Sequence, residues 1–350
     1  MDLRNVIFAI SLSFAILVAW SYMFDTPEEA QKKAQQIENK NQDTNTPSVN
    51  LENKKLLSIS REDAINSSER IDFENDNVVG SISLQGALID DITFKNYNEK
   101  LGENKKVTYL NPKESDKGYF VETGWAASNL GKMTLPNRET KWKVLGNNKL
   151  KKGNPVLLEW DNKSGLVFRK KIELDDKFLF RITQEIQNKS NKDVELYPYA
   201  QITRNKDPDV TDFYILHEGF IGVFDEELKE ESYKDVRDRK KEFNASDGWL
   251  GITDKYWMTA LVPEKNQSFK GEFLFKNGFK ANYIQNEPII VKPSTTNKSE
   301  SKIFVAAKEV KVIDKYAETE SINKFDLTID WGWFYFFTKP LFFIIDYLFK

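Results

Sequence analysis

Hydrophobic positions divide the chain into four stretches with different periodicities. The first is continuous: Val6 to Phe24 is 19 residues without a charge. As a helix it spans about 28 Å, one bilayer core. Its ten Val, Ile, Leu and Phe residues favour insertion by roughly 3–6 kcal/mol. Arg4 precedes it, and Asp25, Glu28 and Glu29 follow. The positive-inside rule then puts the N-terminus in the cytoplasm and the rest across the membrane. Residues 1–25 are therefore expected to be a transmembrane anchor, with Val6, Phe8, Leu12, Phe14, Leu17 and Trp20 in lipid. A cleaved signal peptide is the rival. It needs small residues at its end, and this stretch ends in Trp20-Ser21-Tyr22-Met23-Phe24.

Residues 26–77 are rich in Asn, Gln, Lys and Ser. Few large apolar groups are available to offset ordering entropy, so a flexible linker is predicted. From 78 the period becomes two. Ile82 and Leu84 alternate with Ser81, Ser83 and Gln85. A break at Gly86 and Asp90-Asp91 follows, and then Ile92 and Phe94 resume. Leu166, Phe168, Ile172 and Leu174 lead through Asp175-Asp176-Lys177 to Phe178, Phe180 and Ile182. Asn277-Gly278 lies between Phe273-Leu274-Phe275 and Phe279. Both are hairpin signatures. Many short strands separated by turns predict one large all-β domain, an antiparallel sandwich or barrel, over 78–325.

The pattern turns helical near Val310. Ten of the last twenty residues are aromatic, with Lys339, Pro340 and Asp346 among them. This is too polar for a clear membrane span. It predicts an amphipathic helix over 326–350 lying at the lipid interface, carried by Trp331, Trp333, Phe334, Phe337, Phe342 and Phe343. A core helix, or the start of a second span, is the competing reading.

Charge narrows the function. With 51 basic and 54 acidic residues, nothing points to a nucleic-acid partner. Cysteine is absent and His217 is the lone histidine, which excludes thiolate chemistry and His-pair metal sites. No phosphate loop, dinucleotide fingerprint or nucleophile elbow appears, and no cofactor is expected. Asp207, Asp209 and Asp212 cluster around Pro208 without the remaining ligands of a calcium loop. His217 beside Glu218 is expected to be structural.

Gly248-Trp249-Leu250-Gly251-Ile252-Thr253-Asp254-Lys255-Tyr256-Trp257 reads as strand, tight turn and strand. Its aromatics are expected in the core, with Asp254 and Lys255 in water. If the aromatics are exposed instead, the segment could be a carbohydrate or partner platform. A membrane-anchored carbohydrate-binding or sugar-epimerase-like domain is therefore the alternative.

Four segments resemble the YidC family of bacterial membrane-protein insertases, within the YidC/Oxa/Alb superfamily. They are Met1–Ile7 with its span, Gly80–Asp91, Gly248–Trp257 (with Gly248, Trp249, Gly251, Asp254, Lys255, Tyr256 and Trp257), and Asp330–Tyr335 with Lys339-Pro340-Leu341. The resemblance implies an inner-membrane protein whose large periplasmic β-supersandwich, mutarotase-like in shape, follows the first span. It implies membrane-protein clients and partners in the Sec translocon, SecDF and the lipid bilayer. It also implies insertion by a later helix bundle, which this sequence is expected to lack, and no enzymatic activity.

Overall fold

The computed structural model describes residues 59–128, 133–208, 216–332 and 335–348, with side chains in the last stretch from 337 onward. The expected anchor, Val6–Phe24, lies outside them. Among the described residues no helix is long and apolar enough to cross a membrane.

Among these residues twenty strands dominate. In chain order they are β1 (Arg70–Glu74), β2 (Val78–Ser83), β3 (Leu88–Asn98), β4 (Lys106–Leu110), β5 (Tyr119–Ala126), β6 (Lys143–Leu145), β7 (Lys149–Leu150), β8 (Val156–Asp161), β9 (Leu166–Leu174), β10 (Leu179–Asn188), β11 (Val194–Arg204), β12 (Gly219–Phe224), β13 (Glu227–Glu231), β14 (Lys241–Ala245), β15 (Gly248–Thr253), β16 (Trp257–Val262), β17 (Phe269–Phe275), β18 (Phe279–Gln285), β19 (Ile289–Val291) and β20 (Thr296–Ala307). Sheet A runs β14-β17-β18-β11-β5-β3-β2-β1-β7, with β19 also on β11 and β4 also on β3. Sheet B runs β13-β12-β15-β16-β20-β10-β9-β8-β6. All these strand pairs are antiparallel except β1 with β7. The architecture is the all-β antiparallel sandwich that the alternating pattern predicts. Both expected hairpins form: β9 pairs with β10 around Asp175–Lys177, and β17 with β18 around Asn277-Gly278.

The sheets meet through aromatics. Phe73 of sheet A packs edge-on to Phe180 of sheet B at 5.3 Å, and Phe220 of sheet B lies 5.1 Å from Phe273 of sheet A. All four are fully buried. Burial of such a side chain contributes about 1.5–3 kcal/mol, so this layer dominates the stability.

Helices are few. They are α1 (Arg61–Asn66), α2 (Tyr233–Asp238), α3 (Val310–Thr319), a 3₁₀ turn (Phe325–Thr328) and α4 (Tyr335–Leu348). The linker predicted through 77 needs correction, because residues 59–77 belong to the fold. Ser60 caps α1 by accepting from Asp63 N–H at 3.1 Å. Arg61 then pairs with Asp91, and Arg70 of β1 with Asp90. These partners also explain why Asp90-Asp91, expected as a break, lies buried inside β3. A charge enters a sheet when an opposite charge meets it there.

Candidate functional site

The segment Gly248–Trp257 joins the sandwich to everything after β20. Gly248 sits at φ +141° against β12, and a Cβ there would lie 1.9 Å from the Val223 carbonyl oxygen. At Gly251 a Cβ would lie 2.1 Å from that of Thr259. Both positions therefore require glycine. Leu250 reaches toward sheet A, where it neighbours Gly271. Trp249 points to the other face of sheet B. It is fully buried, donates Nε1–H to the Asn323 carbonyl at 3.0 Å and meets Phe325 edge-on at 5.5 Å. Phe304 of β20 continues this contact to Phe325 (5.0 Å) and to Tyr316 of α3 (5.6 Å). Sheet B is thus covered on one face by sheet A and on the other by α3 and the 3₁₀ turn. A buried Trp249 cannot serve as an exposed carbohydrate platform, which corrects that part of the alternative.

The turn Asp254–Tyr256 is the ridge between two clefts of about 420 and 370 Å³, both lined by Lys255, Tyr256 and Trp257. Asp254 does not stand in water as expected. Arg204 holds it at 2.7 Å, bonds the Tyr233 hydroxyl at 3.0 Å and lies 4.9 Å over the Tyr119 ring. Burial opposes the Arg204 charge, but the surrounding tyrosines and Asp254 keep its pKa raised. Lys255 donates its backbone N–H to Glu218 at 3.0 Å and is half-buried. Tyr256, expected in the core, is the exposed crest at 58%. Trp257 is partly buried and stacks on Phe94 at 5.0 Å. His217 lines neither cleft. Its Nε2 lies 2.9 Å from the Phe220 carbonyl, and its backbone N–H donates to Asp330. The ionic groups here are engaged in structure. Among the described residues no acid–histidine group could hold a metal, and Asp209 and Asp212 lie outside them.

The C-terminal helix is the unusual surface. In α4 only Thr338, Lys339 and Asp346 carry strongly polar side chains. Lys339 and Asp346 are two turns apart, on one side of the helix. That side faces the protein: Lys339 bonds Asp326 at 3.0 Å and Asp314 at 3.3 Å, and Asp346 pairs with Lys311. Burial opposes the Lys339 charge, but the two carboxylates prevail and raise its pKa above the usual lysine value. Trp331 tucks under the helix, edge-on to Phe342 at 5.7 Å. The opposite face carries Phe337 (67% exposed), Ile344 (56%), Tyr347 and Leu348, all open. Leu341, Phe342, Phe343 and Ile345 are also open in part, while Trp333 and Phe334 lie outside the described residues.

A helix folding in water turns its apolar face inward. Here the polar edge is inward and the apolar face outward, a contiguous exposed patch of the kind that marks a membrane or protein contact. The fold and this surface define a large antiparallel sandwich with an apolar helix displayed on its covered sheet. Residues 70–344 match the model of the YidC periplasmic domain, and the chain belongs to that family. It is 48% identical over its whole length to a membrane protein insertase YidC of Pelagibacter ubique, and 35% identical over 99% of its length to one of Methylorubrum extorquens. It spans 62% of the length of each. Among solved structures, a galactose mutarotase related enzyme of Lactobacillus acidophilus aligns over 68% of this chain and 97% of its own, at 10% identity and a TM-score of 0.46. A likeness that distant transfers no activity.

Sequence reasoning found Lys339 and Asp346 only as interruptions of an apolar run. Their partners, Asp314, Asp326 and Lys311, carry no local signal, because the pairing exists only once α4 folds back on α3. Arg204 was equally silent: it ends a strand 50 residues before the Asp254 it holds.

Proposed function

We propose that the chain is the membrane-bound, periplasmic portion of an insertase that helps integral membrane proteins enter and fold in the bacterial inner membrane. Residues 6–24 anchor it with the N-terminus in the cytoplasm. The sandwich stands in the periplasm, and α4 lies in the lipid interface. The Sec translocon and SecDF are its expected partners, and membrane proteins its clients. Its role is to hold and orient, not to catalyse a covalent step. The observation that carries this reading is the inverted docking of α4, which makes sense where lipid replaces water on the outer side. Moving one unpaired charge into hydrocarbon costs about 2.5–3.5 kcal/mol on insertion scales, and an assisting protein must lower such costs for its clients.

The test grafts this chain onto the remaining part of the Pelagibacter ubique relative and reconstitutes the product in vesicles. Protease-protected insertion of a single-span client should rise well above empty vesicles. An equal yield with and without the protein contradicts the reading.

A further inference from the structure

We infer that the β3–β4 hairpin is a second lipid contact, cooperating with α4; this rests on α4 lying in the membrane interface. Three observations carry it.

The hairpin base is pinned at the end of the sandwich nearest α4. Tyr97 packs edge-on to Trp257 at 5.1 Å and donates its hydroxyl to Glu309 at 2.9 Å. Two residues further, Lys311 pairs with Asp346, near the end of α4. The base of the hairpin and the last turn of the apolar helix are therefore tied to one short stretch of chain, 309–311.

The tip then leaves the protein. Beyond Asn98 and Lys106 no other strand among the described residues pairs with it, and Leu101 is fully exposed. A large aliphatic side chain at the apex of a polar turn gains nothing from water. Tyr256, on the neighbouring turn that Trp257 anchors, is exposed beside a cleft that the hairpin-base residues Tyr97 and Asn98 also line.

The flanks suit headgroups. Glu99 pairs with Lys105 at 2.8 Å, Lys100 lies 3.6 Å from Glu103, and Lys106 bonds Asn98 at 2.8 Å. Three lysines against two glutamates leave one excess positive charge around Leu101. Mixed charges beside one inserted aliphatic group fit a zwitterionic surface with a minority of anionic lipid, to which basic residues near the surface are attracted.

The absence of cysteine makes the test direct. Single cysteines at Leu101, Ile344 and Asn148 of the full chain are labelled with an environment-sensitive dye. The labelled chains are reconstituted in phosphatidylethanolamine vesicles containing phosphatidylglycerol as the minor component. Dyes at 101 and 344 should shift to the blue and be quenched by a lipid-borne quencher, with 101 the shallower; the dye at 148 should do neither. A dye at 101 that stays in water while that at 344 is quenched overturns the hairpin contact alone. If both stay in water, the interfacial reading of α4 fails with it. A shift at 101 without vesicles, growing with protein concentration, would assign the tip to self-association and also overturn the proposal. As a second measure, in the reconstituted full chain Leu101→Asp should lower the lipid quenching of a dye at the neighbouring Asn104 roughly threefold, given the small apolar area involved.

Discussion

Sheet B and helix α4 treat the same chemistry in opposite ways. In β15 a tryptophan goes in and meets a phenylalanine, while Asp254 and Lys255 sit on the turn that follows it. In α4 the lysine and aspartate go in, and the phenylalanines and isoleucines face out. The two regions are separated only by α3 and a 3₁₀ turn. The difference teaches that burial follows the solvent on the far side of an element. Sheet B has protein on both faces; α4 has protein on one and, we propose, lipid on the other.

The comparison can be broken first at Trp249. Trp249→Ala removes a fully buried side chain and should cost about 3–5 kcal/mol, read as a lower urea midpoint. Because Trp249 supports Asn323 and Phe325, the α3 layer should loosen with the sheet. An unchanged midpoint would mean that this layer is not a single cooperative unit.

Two lysines, one buried and one partly exposed, sharpen it next. Lys170, between the sheets, donates to the Thr123 carbonyl at 2.8 Å and has no carboxylate bonded to it; burial pulls its pKa down to about 8. Lys339, beside two carboxylates, has its pKa raised. Between pH 8 and the usual lysine value the unfolded chain binds a proton that folded Lys170 has released. Stability attributable to Lys170 therefore rises with pH across that window, by up to roughly 3 kcal/mol. The Lys339 contribution has the opposite sign. It is complete below the ordinary lysine value and is lost as pH rises through the raised one. The difference between wild type and Lys170→Met, measured from pH 8 upward, should show the gain; parallel curves would refute it.

On the outer face, Ile344→Asp should weaken the docking of α4 into the lipid of the anchored chain by about 2 kcal/mol, or roughly 30-fold, read as lost lipid quenching of a dye at the exposed Leu348, and leave the urea midpoint unchanged. A fall in the midpoint would make α4 part of the core. The smallest effect belongs to the latch. Lys339→Ala should cost less than about 1 kcal/mol in water, yet broaden the distance distribution between spin labels on α4 and on sheet B in vesicles.

Much of this was legible before any coordinates. Strand alternation, the Asn277-Gly278 turn and the aromatic C-terminus rest on local periodicity, which one sequence carries. What stayed hidden depends on pairing across distance. Asp90 and Asp91 looked like a break because Arg61 and Arg70, their partners, sat in a stretch too polar to read as structure. Asp254 looked solvated because Arg204 was invisible to it. The aromatic stretch was readable as a helix, but the side it turns to the protein was set by Asp314 and Asp326 on other elements.

The central claim is that α4 presents its apolar face to lipid while its charged edge holds the domain. The most direct test is a nitroxide at position 344 in vesicle-bound protein, with its collision rates with oxygen and with a water-soluble nickel complex compared. The account predicts high oxygen and low nickel accessibility. High nickel accessibility would place that face in water and contradict it.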